Sequence, residues 1–274
     1  MEINLSIDPE LVRKILKEFI RSEITRVGFL RAVINLSGGI DSAVSFVMAI
    51  EALGPQNVLA IRLPYRTSSP DSLEHAQMLI DQFGCPSLTI PITEIVDPLI
   101  AFDPGMSGVR KGNIMARARM IVAYDQSEAF KGLVVGTGNK TEILLGYTTL
   151  FGDSACALNP IGDLYKTQVR QLARVLGIPE PIIVKTPSAD LWTGQTDEGE
   201  LGFTYEAVDR LLYLLVDQRY RPEECVEAGF DESFVNQVFE RVRKSQFKRT
   251  LPPIAKLSNR TVGYDFLYLR DWGT

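Results

Sequence analysis

Apolar residues recur at helical spacing near the start of the chain. Leu11, Ile15 and Phe19, and likewise Val12, Leu16 and Ile20, fall four apart, with Arg13, Lys14, Lys17 and Glu18 on the other side. That spacing predicts a helix over 9–26. The period then changes. Ala32–Leu36 is a short, unbroken apolar run, as expected of a parallel strand buried on both faces. Similar runs at Asn57–Leu63, Ser87–Ile92 and Gly132–Thr137 bring the predicted strands to four. Helical pattern is predicted between them over 42–53, 71–83 and 113–130, and later over 166–176, 204–217 and 231–246. The first of these stops at Gly54-Pro55, and the second opens at Asp71 with Glu74 in capping-box position. Residues 103–112 and 193–199 are rich in glycine and polar groups and read as mobile loops. Strand and helix alternate with short connections. The expected class is therefore α/β: a doubly wound parallel sheet with helices on both faces. The helical C-terminal region is expected to cap the same sheet, within a single domain spanning 1–274.

Composition narrows the function. The 274 residues are 45% hydrophobic and 23% charged, ordinary usage for a folded chain. There are 29 basic against 34 acidic residues, a net charge of −5, which argues against a nucleic-acid partner. No apolar run approaches the roughly 20 residues a membrane span needs, and the first residues lack a signal-peptide pattern, so the chain reads as cytoplasmic with no membrane partner. Cys85, Cys156 and Cys225 are widely spaced and His75 is the sole histidine, which excludes HExxH and multi-histidine metal chemistry.

The informative segment is Ser37-Gly38-Gly39-Ile40-Asp41-Ser42, between the first strand and the helix that follows. A parallel sheet places ligands there. Glycines allow a tight turn and close backbone approach, and a helix N-terminus attracts anions. The segment has neither the lysine of GxxxxGK[ST] nor a GxGxxG turn, which disfavours an oxidoreductase using a dinucleotide cofactor. An acid among phosphate-binding groups repels the anion unless a cation bridges them, so Asp41 implies Mg²⁺.

SGGIDS resembles the signature of the ATP pyrophosphatase (PP-loop) superfamily. Further blocks narrow the likeness: Ile61–Tyr65, Lys111–Met120, Gly136–Asp153, Asn159–Pro179, Pro187–Asp209 and Lys248–Pro253. In this order they are similar to the ammonia-dependent NAD synthetase family over about residues 9–253. The resemblance implies an adenine-nucleotide alpha-hydrolase-like fold. It also implies the reaction deamido-NAD + ATP + NH₃ → NAD + AMP + PPi, and a homodimer with the deamido-NAD site at its two-fold interface. Carried over by motif, Ser37, Gly38, Gly39, Asp41, Ser42, Arg62, Thr137, Lys166 and Ser188 would contact ATP. Asp41 and Glu142 would hold Mg²⁺, and Arg117, Tyr124, Tyr147, Asp153 and Lys248 would contact deamido-NAD. Asp41, Glu142, Lys166 and Asp153 would carry the chemistry. On residue type alone, Lys166 and Arg117 equally suit solvated helix faces, Glu142 a helix N-terminus and Asp153 a turn.

The chain departs from the commonest bacterial pattern at Leu150, Ala157, Phe247 and Ser188. About 30 residues precede the first strand, so no glutaminase is expected and ammonia would be the direct nitrogen source.

Overall fold

A computed structural model describes residues 3–188 and 196–267. Four parallel strands, β1 (Ala32–Asn35), β2 (Val58–Arg62), β3 (Ser87–Thr89) and β4 (Leu133–Val134), lie in the order β3-β2-β1-β4. Asn35 pairs with Ile61, and Val33 with Val134. The chain winds outward from β1 to β3, then returns to place β4 on the other side of β1. This is the doubly wound arrangement, with its switch point beside β1.

Alternate strand residues fill two apolar layers. Ile34 and Ala60 face one, packed on α1 (Pro9–Arg26), α2 (Ile40–Leu53) and α3 (Pro70–Phe83). Val33, Leu59 and Ile61 face the other, packed on α4 (Thr93–Ala101) and α5 (Gly108–Phe130). Burial on both sides is why the central strands β1 and β2 read as unbroken apolar runs, whereas β3 is an exposed edge.

After β4 come α6 (Lys140–Leu145), α7 (Lys166–Val175), α8 (Glu180–Val184), α9 (Asp197–Leu201), α10 (Tyr205–Leu212), α11 (Pro222–Glu227) and α12 (Glu232–Lys244). The helical C-terminal region does not cap the sheet as expected. It builds its own core around Leu145, Tyr165, Tyr205, Leu211 and Val235 and packs on α6 and α7.

Several boundaries differ from the sequence expectation. The helix after β1 starts at Ile40, so Asp41 lies in its first turn. The second helix starts at Pro70, with Ser69 as N-cap, because proline suits a first helical turn; the box at Asp71 and Glu74 does not form. Residues 108–112 belong to α5, not to a loop, with Ser107 accepting from Arg110 N at 3.4 Å as its cap. The stretch 204–217 ends in a π-helical turn over Tyr213–Asp217. Of the second expected loop, 193–195 lie outside the described residues and 197–199 begin α9. Among the described residues no helix is long and apolar enough to cross a membrane.

Candidate active site

A cavity of about 490 Å³ opens at the C-terminal ends of β1, β2 and β4, over the N-termini of α2, α6 and α7. Its first wall is the turn after β1. Leu36 N donates to Ile61 O at 2.8 Å, which ends the strand pairing and frees the chain to turn. Gly38 then takes φ +78°, and a Cβ there would sit 2.1 Å from Ser72 O. Both the dihedral and the contact demand glycine. The Ser37 and Ser42 hydroxyls are 3.0 Å apart, and Ser42 Oγ also donates to Gly39 O at 2.9 Å. The result is a tight cradle at the positive end of α2. Gly38→Ala should therefore lose the cradle and destabilise the fold by about 1–3 kcal/mol or more, because backbone on α3 would have to move. Calorimetry and ATP-binding titration check this; an alanine variant that binds ATP normally would contradict it.

The second wall carries the ionisable cluster. Lys166, the first residue of α7, is 2% exposed. Its ammonium donates to Asp41 Oδ2, and to Glu142 Oε1 at 3.3 Å, and lies 5.0 Å over the Tyr205 ring. A buried lysine at a helix N-terminus is unfavourable alone, and the two carboxylates offset it. Burial by itself would lower the Lys166 pKa, but Asp41 and Glu142 outweigh it and hold the ammonium above the usual lysine value. Burial pushes Glu142 up to about 8, opposed by Lys166 and reinforced by Asp41 and Asp197.

Asn139 orders both acids. Its Nδ2 donates to Asp41 Oδ1 at 2.9 Å, and its Oδ1 accepts from Glu142 N at 2.9 Å as the α6 cap. Glu142 Oε2 accepts in return from Asn139 N at 3.4 Å. Glu142 is thus a capping-box residue and, through Oε1, a pocket acid.

Among the described residues no group of three or more His, Cys, Asp or Glu side chains is set to hold a metal ion. Asp41 and Glu142 nevertheless fit Mg²⁺. That ion takes only one or two carboxylates from a protein and fills its shell with phosphate and water. The surplus of acids over one ammonium has the right sign for a cation.

The remaining expected residues divide. Arg62, Thr137, Tyr147, Asp153, Lys248 and Ser188 all line the cavity. Arg62, ending β2, leaves a buried Nε without a hydrogen-bond partner. Tyr147 OH donates to Glu200 Oε2 at 2.9 Å and to Asp197 Oδ1 at 3.3 Å. Asp153 Oδ1 accepts from Thr149 N at 2.7 Å, and the surrounding protein raises its carboxyl pKa. Lys248 donates to Gly146 O at 2.7 Å and Thr148 O at 2.6 Å, and its burial lowers its pKa.

Arg117 and Tyr124 do not line the cavity. On α5 the positions that line the cavity are Val109, Asn113, Ala116, Arg119, Met120 and Ala123. Arg117, Ile121 and Tyr124 lie round the helix from these and are exposed, with Arg117 donating to Leu150 O at 3.2 Å. Cys156 packs behind the wall, against Gly136.

Sequence reading missed Asn139, Asp197, Lys185 and Arg119, all part of the cluster or its lining. Asp197 is 4% exposed and accepts from Tyr205 OH at 2.9 Å. It lay in a polar stretch that gave no sign of burial.

A cradle for phosphate beside a lysine and two acids suits transfer of a nucleotidyl group to an oxygen nucleophile. Known proteins agree with that chemistry. Residues 12–252 match the family model described as NAD synthase. A Trichlorobacter lovleyi protein named NH(3)-dependent NAD(+) synthetase is 55% identical over 98% of both chains. A solved NH3-dependent NAD synthetase from Campylobacter jejuni, in complex with the nitrate ion, superposes with TM-score 0.78 at 33% identity. That match covers 91% of this chain and 100% of the other. An NMN synthetase structure from Francisella tularensis gives TM-score 0.81 at 30% identity, covering 91% and 99%.

Proposed function

The chain belongs to the NAD synthase family, and on that premise we propose that its pocket holds ATP beside deamido-NAD and amidates the nicotinate carboxylate with ammonia. One carboxylate oxygen attacks the α-phosphorus of ATP, forming an acyl adenylate and releasing pyrophosphate. Ammonia then attacks the acyl carbon, and AMP leaves with that carboxylate oxygen, giving NAD and one proton.

The residues divide this work. Ser37, Gly38, Gly39 and Ser42, at the positive end of α2, suit the ATP phosphates. Lys166 and Arg62 offset the charge that builds on the leaving group. Thr137 and Ser188, which also line the cavity, would position ATP. Asp41 and Glu142 would hold Mg²⁺, which when bound neutralises the pyrophosphate oxygens. Tyr147, Asp153 and Lys248 would orient the deamido-NAD carboxylate and the incoming ammonia. A neutral amine needs placement more than activation, which one acid in an open pocket provides.

Arg117 and Tyr124 fit this scheme only across a dimer. With Ile121 they form an exposed stripe on α5, and Ile121 is 58% exposed. A second copy packed on α5 would bring that stripe to the dinucleotide, in a cytoplasmic homodimer. Sedimentation should give twice the 30.5 kDa chain mass, and an active monomer would reject it.

The observation that carries the reading is the Asp41–Lys166–Glu142 cluster at the N-terminus of α2. The test is NAD, AMP and pyrophosphate formation by the purified chain with ATP, Mg²⁺, deamido-NAD and ammonium. Equimolar products are expected, and ADP in place of AMP would refute the reading. Glutamine freed of ammonium should not substitute. A glutaminase needs an activated cysteine, whereas burial raises the thiol pKa of Cys85, Cys156 and Cys225. The likeness to an NMN synthetase structure favours a second reading, amidation of the corresponding mononucleotide. The same assay decides it through the ratio of kcat/KM for the two substrates.

A further inference from the structure

We infer that Asp209, which lies outside the cavity, is the positioning residue that sets Glu142 against Lys166. The inference rests on the functional reading above. The two pocket residues come from different helices, Glu142 from α6 and Lys166 from α7. With six residues, α6 is too short for its own hydrogen bonds to fix it in place.

Asp209 sits on the inner side of α10 and is 0% exposed. Its Oδ1 accepts from Thr141 Oγ1 at 2.5 Å, and its Oδ2 accepts from Thr167 N at 2.8 Å. The Thr141 hydroxyl oxygen accepts in turn from Lys166 N at 3.0 Å. Thr141 is the residue before Glu142, and Thr167 is the residue after Lys166. One carboxylate therefore ties the first turn of α6 to the first turn of α7, on the side of each helix away from the cavity. Helix α10 thus sets a carboxylate at the positive end of α7, where burial raises its pKa and the bonds from Thr141 and Thr167 oppose that rise. At the other end of α6, Arg249 donates to Leu144 O at 2.7 Å and Ile143 O at 3.1 Å. The helix that carries Glu142 is held at both ends by the C-terminal helical region.

An apolar residue at position 209 would pack among Val208, Leu211 and Leu212 at less desolvation cost. A buried carboxylate whose hydrogen bonds go to the residues flanking two pocket groups is better explained by alignment than by stability.

The test compares Thr141→Val, which keeps the volume and removes the hydroxyl, with Thr141→Ser, which keeps the hydroxyl, and with Asp209→Asn. Thr141→Val and Asp209→Asn should lower kcat by about 10–100-fold with the deamido-NAD KM within about twofold, because a shift of an ångström at the reacting centre costs on that order. Thr141→Ser should keep kcat within about threefold of wild type. Without substrate, the Lys166 and Thr167 amides should exchange hydrogen faster in the two slow variants. Wild-type kcat in Thr141→Val overturns the inference, and so does a Thr141→Ser as slow as Thr141→Val. Unchanged exchange at both amides overturns it too. That arm needs no activity, so an inactive wild-type chain would refute the functional reading and leave the inference to be judged by exchange.

Discussion

Asparagine at position 41 is expected to lower turnover by about 10²–10³-fold, the loss typical of removing one electrostatic stabiliser of a transition state. Asp41 stands in the first turn of α2, where its charge meets the cradle, the Lys166 ammonium and the Asn139 amide. Asp41→Asn preserves shape and one acceptor, so Asn139 keeps a partner. What disappears is the charge, and with it half of the proposed Mg²⁺ site. Lys166 still has Glu142 at 3.3 Å, so the ammonium is not left unpaired and the fold should survive. The helix loses an acid in its first turn, worth about 0.3–1 kcal/mol. Steady-state rates at saturating Mg²⁺, taken beside a melting curve, check both parts. Wild-type-like turnover at saturating Mg²⁺ would remove Asp41 from the chemistry.

Lys166→Met should do more damage, to stability as well as to rate. The ammonium is the cation shared by Asp41 and Glu142, and Asp197 adds negative charge nearby. Taking one partner from a buried ion cluster costs about 3–5 kcal/mol, since the other charges stay behind. The sign of the pH dependence follows. Glu142 is already pushed up to about 8 from an ordinary 4.5 with Lys166 opposing the rise, and removing Lys166 takes that opposition away. The folded variant then holds a proton that the unfolded chain has released. The stability contributed by Glu142 is fully present below the ordinary carboxylate range and is lost as pH rises through the raised value. Between pH 5 and pH 8 the melting temperature should fall further in the variant than in wild type, whose Glu142 is held down by Lys166. An equal or smaller fall in the variant would mean that Lys166 does not hold the acids.

The parts of this picture visible in the sequence are those with local signals. Asp41 stood out because its neighbours form a strand, a glycine turn and a helix start within ten residues. Glu142 and Lys166 were found through family likeness, since each alone suits an ordinary helix N-terminus. Asp209 closes the family-like block Pro187–Asp209, but nothing in its own spacing marked it as buried. An acid in the amphipathic stretch 204–217 reads as the solvent side, and only the approach of α6 and α7 turns it inward. Helix α4 was missed because Pro98 interrupts it, and α6 because six residues show no period. The sheet was legible because its central strands β1 and β2 are buried on both faces, whereas the separate core of the C-terminal helices depends on contacts that no local pattern encodes. Arg117 and Tyr124 are a different case. Arg117 lies in the family-like block Lys111–Met120 and Tyr124 beyond it on the same helix, but the single chain leaves both on the outside of α5.

The central claim is that a carboxylate oxygen of deamido-NAD becomes bonded to phosphorus before ammonia displaces it. Deamido-NAD labelled with ¹⁸O in both carboxylate oxygens, turned over with ATP and ammonium, tests this directly by mass spectrometry of the AMP. One ¹⁸O is expected in the phosphate of each AMP formed and none in pyrophosphate. Unlabelled AMP, or label in pyrophosphate, would contradict it.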